Sequence, residues 1–363
     1  MRTKTLMFLI TYKCNLRCSY CYEPKESAHT VNATRLKSLI RENILSLPDD
    51  YDSFEIHFMG GEPLLVFRLI KEVSEWLWNQ EFDKSLAMIY APTNGTLLDD
   101  DIKDWCVQNR GRFCLGLSFD GDETMQNINR SNSSSSVDLD FFARTWPDQS
   151  VKMTLAPDTL LGLASGVKFL HSKGFRNVVA DLARGPRINW AKEDLKHLSR
   201  QLDELSEYYL SQDPEFHMSM LDVDIWGLQT RSNDAHKSCS CGEDLTCIDV
   251  DGIHYACHLF SPVALPKDKA MESRSIDFAR HEYLQNPECR KCMLNSLCNH
   301  CYGMNYICTG NVRTPDPFHC AAFKTIYIAN CRHRLRLAAH SGNDNEITRI
   351  GKLIDTISHQ YEK

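Results

Sequence analysis

Three cysteines follow the first apolar run of this chain, and they constrain the fold around them more than any other feature. The stretch reads Thr11-Tyr12-Lys13-Cys14-Asn15-Leu16-Arg17-Cys18-Ser19-Tyr20-Cys21-Tyr22, a Cys-x3-Cys-x2-Cys pattern directly after Leu6–Ile10. The apolar run predicts a buried strand, so the cysteines lie on the loop leaving it. Three thiolates on one short loop can hold three corners of a cubane [4Fe–4S] cluster. The fourth iron is then without a protein ligand and open to a small molecule. A zinc knuckle or a redox pair is the alternative, but zinc wants a fourth ligand close by.

Composition narrows the class. The chain has 363 residues, 42% of them hydrophobic and 25% charged, which fits one large globular domain plus a smaller one. No stretch reaches the apolar length of a membrane helix, and the first strand begins too early for a signal peptide. A net charge of −7 leaves no basic footprint for nucleic acid. Sixteen cysteines in a chain with no export signal argue for metal or cluster ligation in a reducing cytoplasm rather than for disulfides.

Up to about residue 185, short apolar runs alternate with stretches of helical period. Strands are expected at Leu6–Ile10, Phe54–Phe58, Ala87–Ala91, Phe113–Phe119, Val151–Leu155 and Asn177–Leu182. Helices are expected at Asn32–Ser46, Leu65–Gln80, Asp99–Asn109, Val137–Trp146 and Thr159–Lys173, with Asn32 and Asp99 as caps and Gly174 as a stop. This alternation predicts an α/β fold with a parallel sheet, open or curled. Ser131–Ser136 reads as a mobile low-complexity loop. Ala191–Leu210 reads as a long helix whose leucines are core. From Cys239 to Cys331 the texture is cysteine-rich and loop-rich, and an amphipathic helix is expected after Cys331.

Further motifs close the strands. Met59-Gly60-Gly61-Glu62-Pro63 follows the second, Thr93-Asn94-Gly95-Thr96 the third, and Ser118-Phe119-Asp120-Gly121 the fourth, with Arg130 beyond. Each has a plain reading as a strand-end turn, and glycine in such a turn also lets backbone approach a ligand. Cys241-x5-Cys247-x9-Cys257 encloses Asp249–Tyr255, which predicts a β-hairpin with an Asp-Gly turn. Cys289-x2-Cys292-x5-Cys298-x2-Cys301 and a lone Cys320 complete eight cysteines, enough for two sets of four thiolate ligands.

In this order and spacing, the motifs resemble those of the radical S-adenosylmethionine (SAM) superfamily, and the cysteine field resembles its SPASM extension. The resemblance implies a partial (β/α)6 TIM-type barrel with its chemistry at the C-terminal ends of the strands. The domains would be a barrel with its linking helix over 1–210, a SPASM auxiliary-cluster domain over 211–332 and a C-terminal helix over 333–363. It implies that Cys14, Cys18 and Cys21 hold a cluster whose open iron chelates SAM, and that electron transfer then yields a 5′-deoxyadenosyl radical. Glu62 would receive the SAM ammonium, beside Gly60, Gly61 and Asn94. Ser118 and Arg130 would bind carboxylate and ribose, and Tyr20 would lie near adenine. Leu182 would pack on adenine, or else be ordinary core. In place of the His-Asp that many members carry before the Arg, this chain has Asn127-Ile128-Asn129.

By similarity to the sulfatase-maturating enzymes, Cys241, Cys247, Cys257 and Cys301 would hold one auxiliary cluster and Cys289, Cys292, Cys298 and Cys320 a second. Cys239 is an alternative to Cys241, and zinc is an alternative occupant of the cysteine pairs. The resemblance thus implies SAM and three [4Fe–4S] clusters as cofactors. The implied partners are a precursor peptide or protein and an electron donor such as flavodoxin or ferredoxin, with no nucleic acid and no membrane. Where the sulfatase maturases place an aspartate base after the third hairpin cysteine, this chain has His258, a candidate proton acceptor. The expected reaction is hydrogen abstraction from a ribosomally made peptide followed by a C–C or thioether cross-link. Formylglycine formation, peptide epimerisation and a zinc-bearing binding module are the alternatives.

Overall fold

The computed structural model of the chain describes residues 2–23, 29–230, 237 and 239–361. Its strands are β1 (Thr3–Thr11), β2 (Ser53–Gly60), β3 (Ser85–Thr93), β4 (Phe113–Leu117), β5 (Val151–Leu155), β6 (Asn177–Leu182), β7 (His217–Met218), β8 (Leu245–Ile248) and β9 (His254–Tyr255). The principal helices are α1 (Ala33–Leu45), α2 (Phe67–Trp78), α3 (Asp100–Asn109), α4 (Glu123–Asn129), α5 (Leu139–Thr145), α6 (Leu163–Ser172) and α7 (Asp194–Tyr209). Toward the C-terminus follow α8 (Tyr302–Thr309), α9 (Pro317–His340) and α10 (Asp344–Tyr361). All six expected strands are present.

Packing divides the chain into two compact units. One comprises Met1–Phe119, Arg130–Gln149 and Ser240–Arg280; the other comprises Asp120–Asn129, Ser150–Cys239 and His281–Lys363. This differs from the linear division expected from the sequence, and backbone pairing is the reason. In the first unit the sheet order is β4-β3-β2-β1-β8-β9. The hairpin strand β8 pairs in parallel with β1, from Thr5 against Leu245 to Phe8 against Ile248. β1 is thus flanked on both edges, and Leu6–Ile10 are each at most 5% exposed. A continuous apolar run, with no alternation, is what a parallel strand covered on both faces requires.

The expected caps form. Asn32 Oδ1 accepts from the Arg35 N–H at 2.9 Å, and Asp99 Oδ1 from Ile102 at 2.8 Å. On the α3 side of the sheet, Trp105 meets Phe113 edge-on at 4.9 Å, stacks on Trp78 at 5.7 Å and donates to Glu75. The hairpin turns at Gly252, whose φ of +85° suits glycine, while Asp249 Oδ1 accepts from Asp251 and Ile253. The serine-rich segment is built into this unit rather than loose. Ser133 is 4% exposed, and Ser134–Ser136 form a 3-10 turn.

In the second unit β5, β6 and β7 form a separate parallel sheet, so the six barrel strands do not form one closed sheet. The C-terminal helix begins well before Cys331. α9 starts at Pro317 behind Asp316, whose Oδ1 accepts from Phe318 and His319. Proline at the first position and an aspartate cap are standard start signals. α9 is tied to α7 by Arg332 and Arg336, both on Asp203. α10 packs Ile350, Leu353 and Ile357 around Tyr327 and Cys331. No helix among the described residues is long and apolar enough to cross a membrane.

Candidate active site

In the first unit the cysteine loop is held by the ends of the neighbouring strands. Cys14, Cys18 and Cys21 are half-buried, with the Cys21 N–H donating to the Cys18 carbonyl at 3.1 Å. Gly61 donates to the Thr11 carbonyl at 3.0 Å and Glu62 to the Lys13 carbonyl at 2.8 Å. A Cβ on Gly60 would lie 1.9 Å from the Thr11 oxygen, and one on Gly61 2.3 Å from the Lys13 oxygen. The glycine pair thus admits the backbone of the cysteine loop itself, a role distinct from the approach to a ligand that the sequence suggested.

Glu62 is 1% exposed and acts as a clamp. Oε1 accepts from the Leu64 N–H at 3.0 Å and the Thr93 hydroxyl at 2.8 Å, and Oε2 from the Asn94 N–H at 2.8 Å. Burial pushes its carboxyl above the ordinary range, while these donors and the charge of Arg130 pull it back. A carboxylate offers about four lone-pair sites, so one remains on the Asn94 side. Asn94 continues the network. Its Nδ2 donates to Asn15 Oδ1 at 2.9 Å, and Asn15 Nδ2 donates to Thr96 Oγ1 at 2.8 Å. The third strand end therefore grips the cysteine loop at Asn15, a residue whose partner no local pattern discloses.

The Ser118 N–H donates to the Thr93 carbonyl at 2.9 Å, which keeps the end of β4 beside the Asn94 turn. Arg130 is 7% exposed, and its guanidinium carbon stands 5.5 Å from the centre of the Tyr20 ring. Next to it, Ser131 has φ +57°, and its hydroxyl accepts from the Arg17 N–H at 2.9 Å. A left-handed serine is costly and persists because its surroundings hold it. The structure so gathers Tyr20, Gly60, Gly61, Glu62, Asn94, Ser118 and Arg130 on or beside the cysteine loop. Asp120, in the second unit, is a latch: it is fully buried, and its Oδ1 accepts from the Thr154 N–H at 2.8 Å.

Of the hairpin cysteines in the first unit, Cys241 and Cys247 are buried and Cys257 is half-buried. Burial raises the Cys247 thiol, and the neighbouring Cys257 raises it further. His258 has its ring 6.1 Å from that of Tyr22 on the cysteine loop. Its buried Nδ1 has no hydrogen-bond partner among the described residues, and burial lowers its pKa to about 4. Near neutral pH the ring is uncharged and only weakly basic.

In the second unit, Cys289, Cys292, Cys298, Cys301 and Cys320 line a cavity of about 680 Å³, together with Leu182, Arg184 and His319. Burial pushes the Cys298 thiol up to about 12, and Cys320, Cys289 and Cys292 push the same way. Thiols that oppose each other's ionisation around a shared space are a donor set for a cation or a cluster. Among the described residues no three of His, Cys, Asp or Glu are grouped to hold a single metal ion. A cubane bonds each thiolate to a different iron and spreads its ligands more widely. Cys289, Cys292, Cys298 and Cys320 around one cavity are the set of four thiolate donors that a [4Fe–4S] cluster takes. Leu182 belongs to this cavity. Cys301 has Cys239 among the thiols acting on it, after burial, the Met304 N–H and Arg184.

Residues 8–137 match the Radical SAM superfamily, and the chain carries that domain. It is similar to the serine-type anaerobic sulfatase-maturating enzyme of Klebsiella aerogenes, 33% identical over 140 residues, covering 34% of this chain and 31% of that enzyme. The cysteine-type anaerobic sulfatase-maturating enzyme of Clostridium perfringens (strain 13 / Type A) is 23% identical over 331 residues, 78% of this chain and 84% of that one. The chain spans about a third of the length of the first curated relatives it matches. Native anSMEcpe with bound AdoMet and Cp18Cys peptide shares the fold with a TM-score of 0.68 and 19% identity, covering 94% of this chain and 100% of that one. Streptococcus suis SuiB bound to precursor peptide SuiA follows at 0.61 and 16%, covering 87% and 75%.

Proposed function

We propose that this chain is a radical SAM enzyme acting on a peptide or protein, and that its reaction removes hydrogen from a residue and closes an intramolecular cross-link. The observation that carries this reading is the second cysteine set. Cys289, Cys292, Cys298 and Cys320 line one cavity in a chain that already has the Cys14, Cys18 and Cys21 triad. In this reading the triad holds a SAM-binding [4Fe–4S] cluster, the hairpin cysteines Cys241, Cys247 and Cys257 serve a first auxiliary cluster, and the quartet holds a second. When bound, these groups supply reductive cleavage of SAM and a route for electrons. Tyr20, Gly60, Gly61, Glu62, Asn94, Ser118 and Arg130 position SAM. Forming a cross-link removes two hydrogens, one taken as an atom by SAM chemistry and one leaving as a proton with its electron passed to the auxiliary clusters. A flavodoxin or ferredoxin supplies the reducing electron, in a reducing cytoplasm.

Formylglycine formation is the second reading, favoured by the extent of the match to the cysteine-type sulfatase maturase. His258 stands against it. Burial holds its ring neutral near pH 7, so the site lacks the negative charge that a carboxylate would bring there. Anaerobic co-expression with small peptides encoded beside the gene, read by high-resolution mass spectrometry, tests the choice. Loss of two hydrogens with fragmentation blocked between two residues is the expected result. A product that reacts with a hydrazide carbonyl probe and fragments throughout would establish formylglycine instead. An unchanged mass with one deuterium gained in heavy water would mean epimerisation.

A further inference from the structure

Arg184 is a charged residue that the cluster and SAM assignments leave unused, and it faces the thiol-lined cavity of the second unit. It follows β6 by two residues and lines the same cavity as Leu182, Cys289, Cys292, Cys298 and Cys320. Its mount is rigid. The Ala183 N–H donates to the Leu155 carbonyl at 2.7 Å, and the Ala183 carbonyl accepts from Trp190 Nε1 at 2.9 Å. Trp190 then stacks on Phe318 at 5.0 Å and 4°, two residues before Cys320 on α9. The backbone carrying Arg184 is thereby fixed to the helix that carries one of the four thiols. Among the described residues no carboxylate forms an ion pair with the guanidinium.

We infer that Arg184 is a positioning residue for the electron-transfer step, setting the reduction potential of the cluster held by Cys289, Cys292, Cys298 and Cys320. A fixed positive charge beside four thiolates stabilises the reduced, more negative cluster and so raises its potential. An electron leaving a substrate radical is accepted more readily by a cluster of higher potential. The inference rests on the reading of this quartet as a cluster site.

The test is an EPR-monitored potentiometric titration of the reconstituted full chain carrying Cys14→Ala, Cys18→Ala and Cys21→Ala. The wave that Cys298→Ala removes is assigned to this cluster. Adding Arg184→Gln is expected to move that wave to more negative potential, beyond the spread of replicates, at unchanged iron content, while Arg184→Lys returns most of the shift. An unmoved midpoint in Arg184→Gln would overturn the inference, and a raised peptide KM in otherwise wild-type enzyme would then place Arg184 in substrate binding. Equal shifts in the Gln and Lys variants would overturn it too, because the effect would not follow charge. Absence of any Cys298-dependent wave in the parent would sink the cluster reading, and this inference with it.

Discussion

The Glu62 carboxylate accepts a hydrogen bond from the Asn94 backbone N–H at 2.8 Å, joining the end of β2 to the turn after β3 inside a fully enclosed site. The same side chain takes the Leu64 N–H and the Thr93 hydroxyl, so one residue fixes two strand ends beside the cysteine loop. Its removal strands buried donors. Glu62→Ala is expected to lower stability by about 2–3 kcal/mol, since unmet buried donors cost their full desolvation. Thermal unfolding of the reconstituted protein measures it, and an unchanged midpoint would show that the clamp is not structural.

Gly61 predicts a different kind of defect. A methyl group there would sit 2.3 Å from the Lys13 carbonyl oxygen, a backbone atom that moves only if the cysteine loop moves. Gly61→Ala should cost about 1–3 kcal/mol as an overpacked contact and displace Cys14 from its partners. The expected readout is SAM cleavage reduced at least tenfold with the circular dichroism spectrum retained. Cleavage at the wild-type rate would mean that the loop tolerates displacement.

The cysteine sets separate by metal analysis. Replacing Cys14, Cys18 and Cys21 together by alanine should abolish SAM cleavage and leave roughly two-thirds of the iron if each cluster holds four. Cys298→Ala should spare SAM cleavage, lower the iron by roughly a third and impair peptide modification. A full product yield from Cys298→Ala would show that its cluster is absent or purely structural.

Acid sensitivity follows from His333. The ring is 9% exposed, its Nδ1 pairs with Ser206 Oγ at 3.0 Å, and burial lowers its pKa to about 4, with Arg334 and Arg336 adding repulsion. The folded state therefore favours neutral imidazole. This stabilisation is fully present above the unfolded value of 6.5 and is lost as pH falls from there toward 4. Roughly 2 kcal/mol should disappear across that window, allowing for partial solvent access. Denaturant midpoints of wild type and His333→Gln at stepped pH check it. Parallel slopes for the two proteins would exclude His333 as the source.

Much of this was legible in the chain itself, because local signals act locally. The loop after β1 that carries the three cysteines, the six strands, the caps at Asn32 and Asp99 and the Asp-Gly hairpin all depend on neighbouring residues, and all appear as read. The start of α9 was missed because its apolar residues are spread around the helix rather than gathered in one stripe, the pattern on which helix recognition relies. Ser131–Ser136 read as loose because polarity alone does not show that Arg17 would bond the Ser131 hydroxyl.

The sequence by itself determined which chemistry is present: a three-cysteine loop after a strand, and enough further thiols for two more sets. Tertiary structure decided what touches what. β8 was drawn to the free edge of β1, and Glu62 came to clamp two strand ends. Gly60 and Gly61 packed against the cysteine loop, and Arg184 came to line the cavity that Cys298 lines. Those outcomes join residues from tens to hundreds of positions apart. Pairing, register and burial at such separations are set by how the strands and helices close on one another, which no local window records.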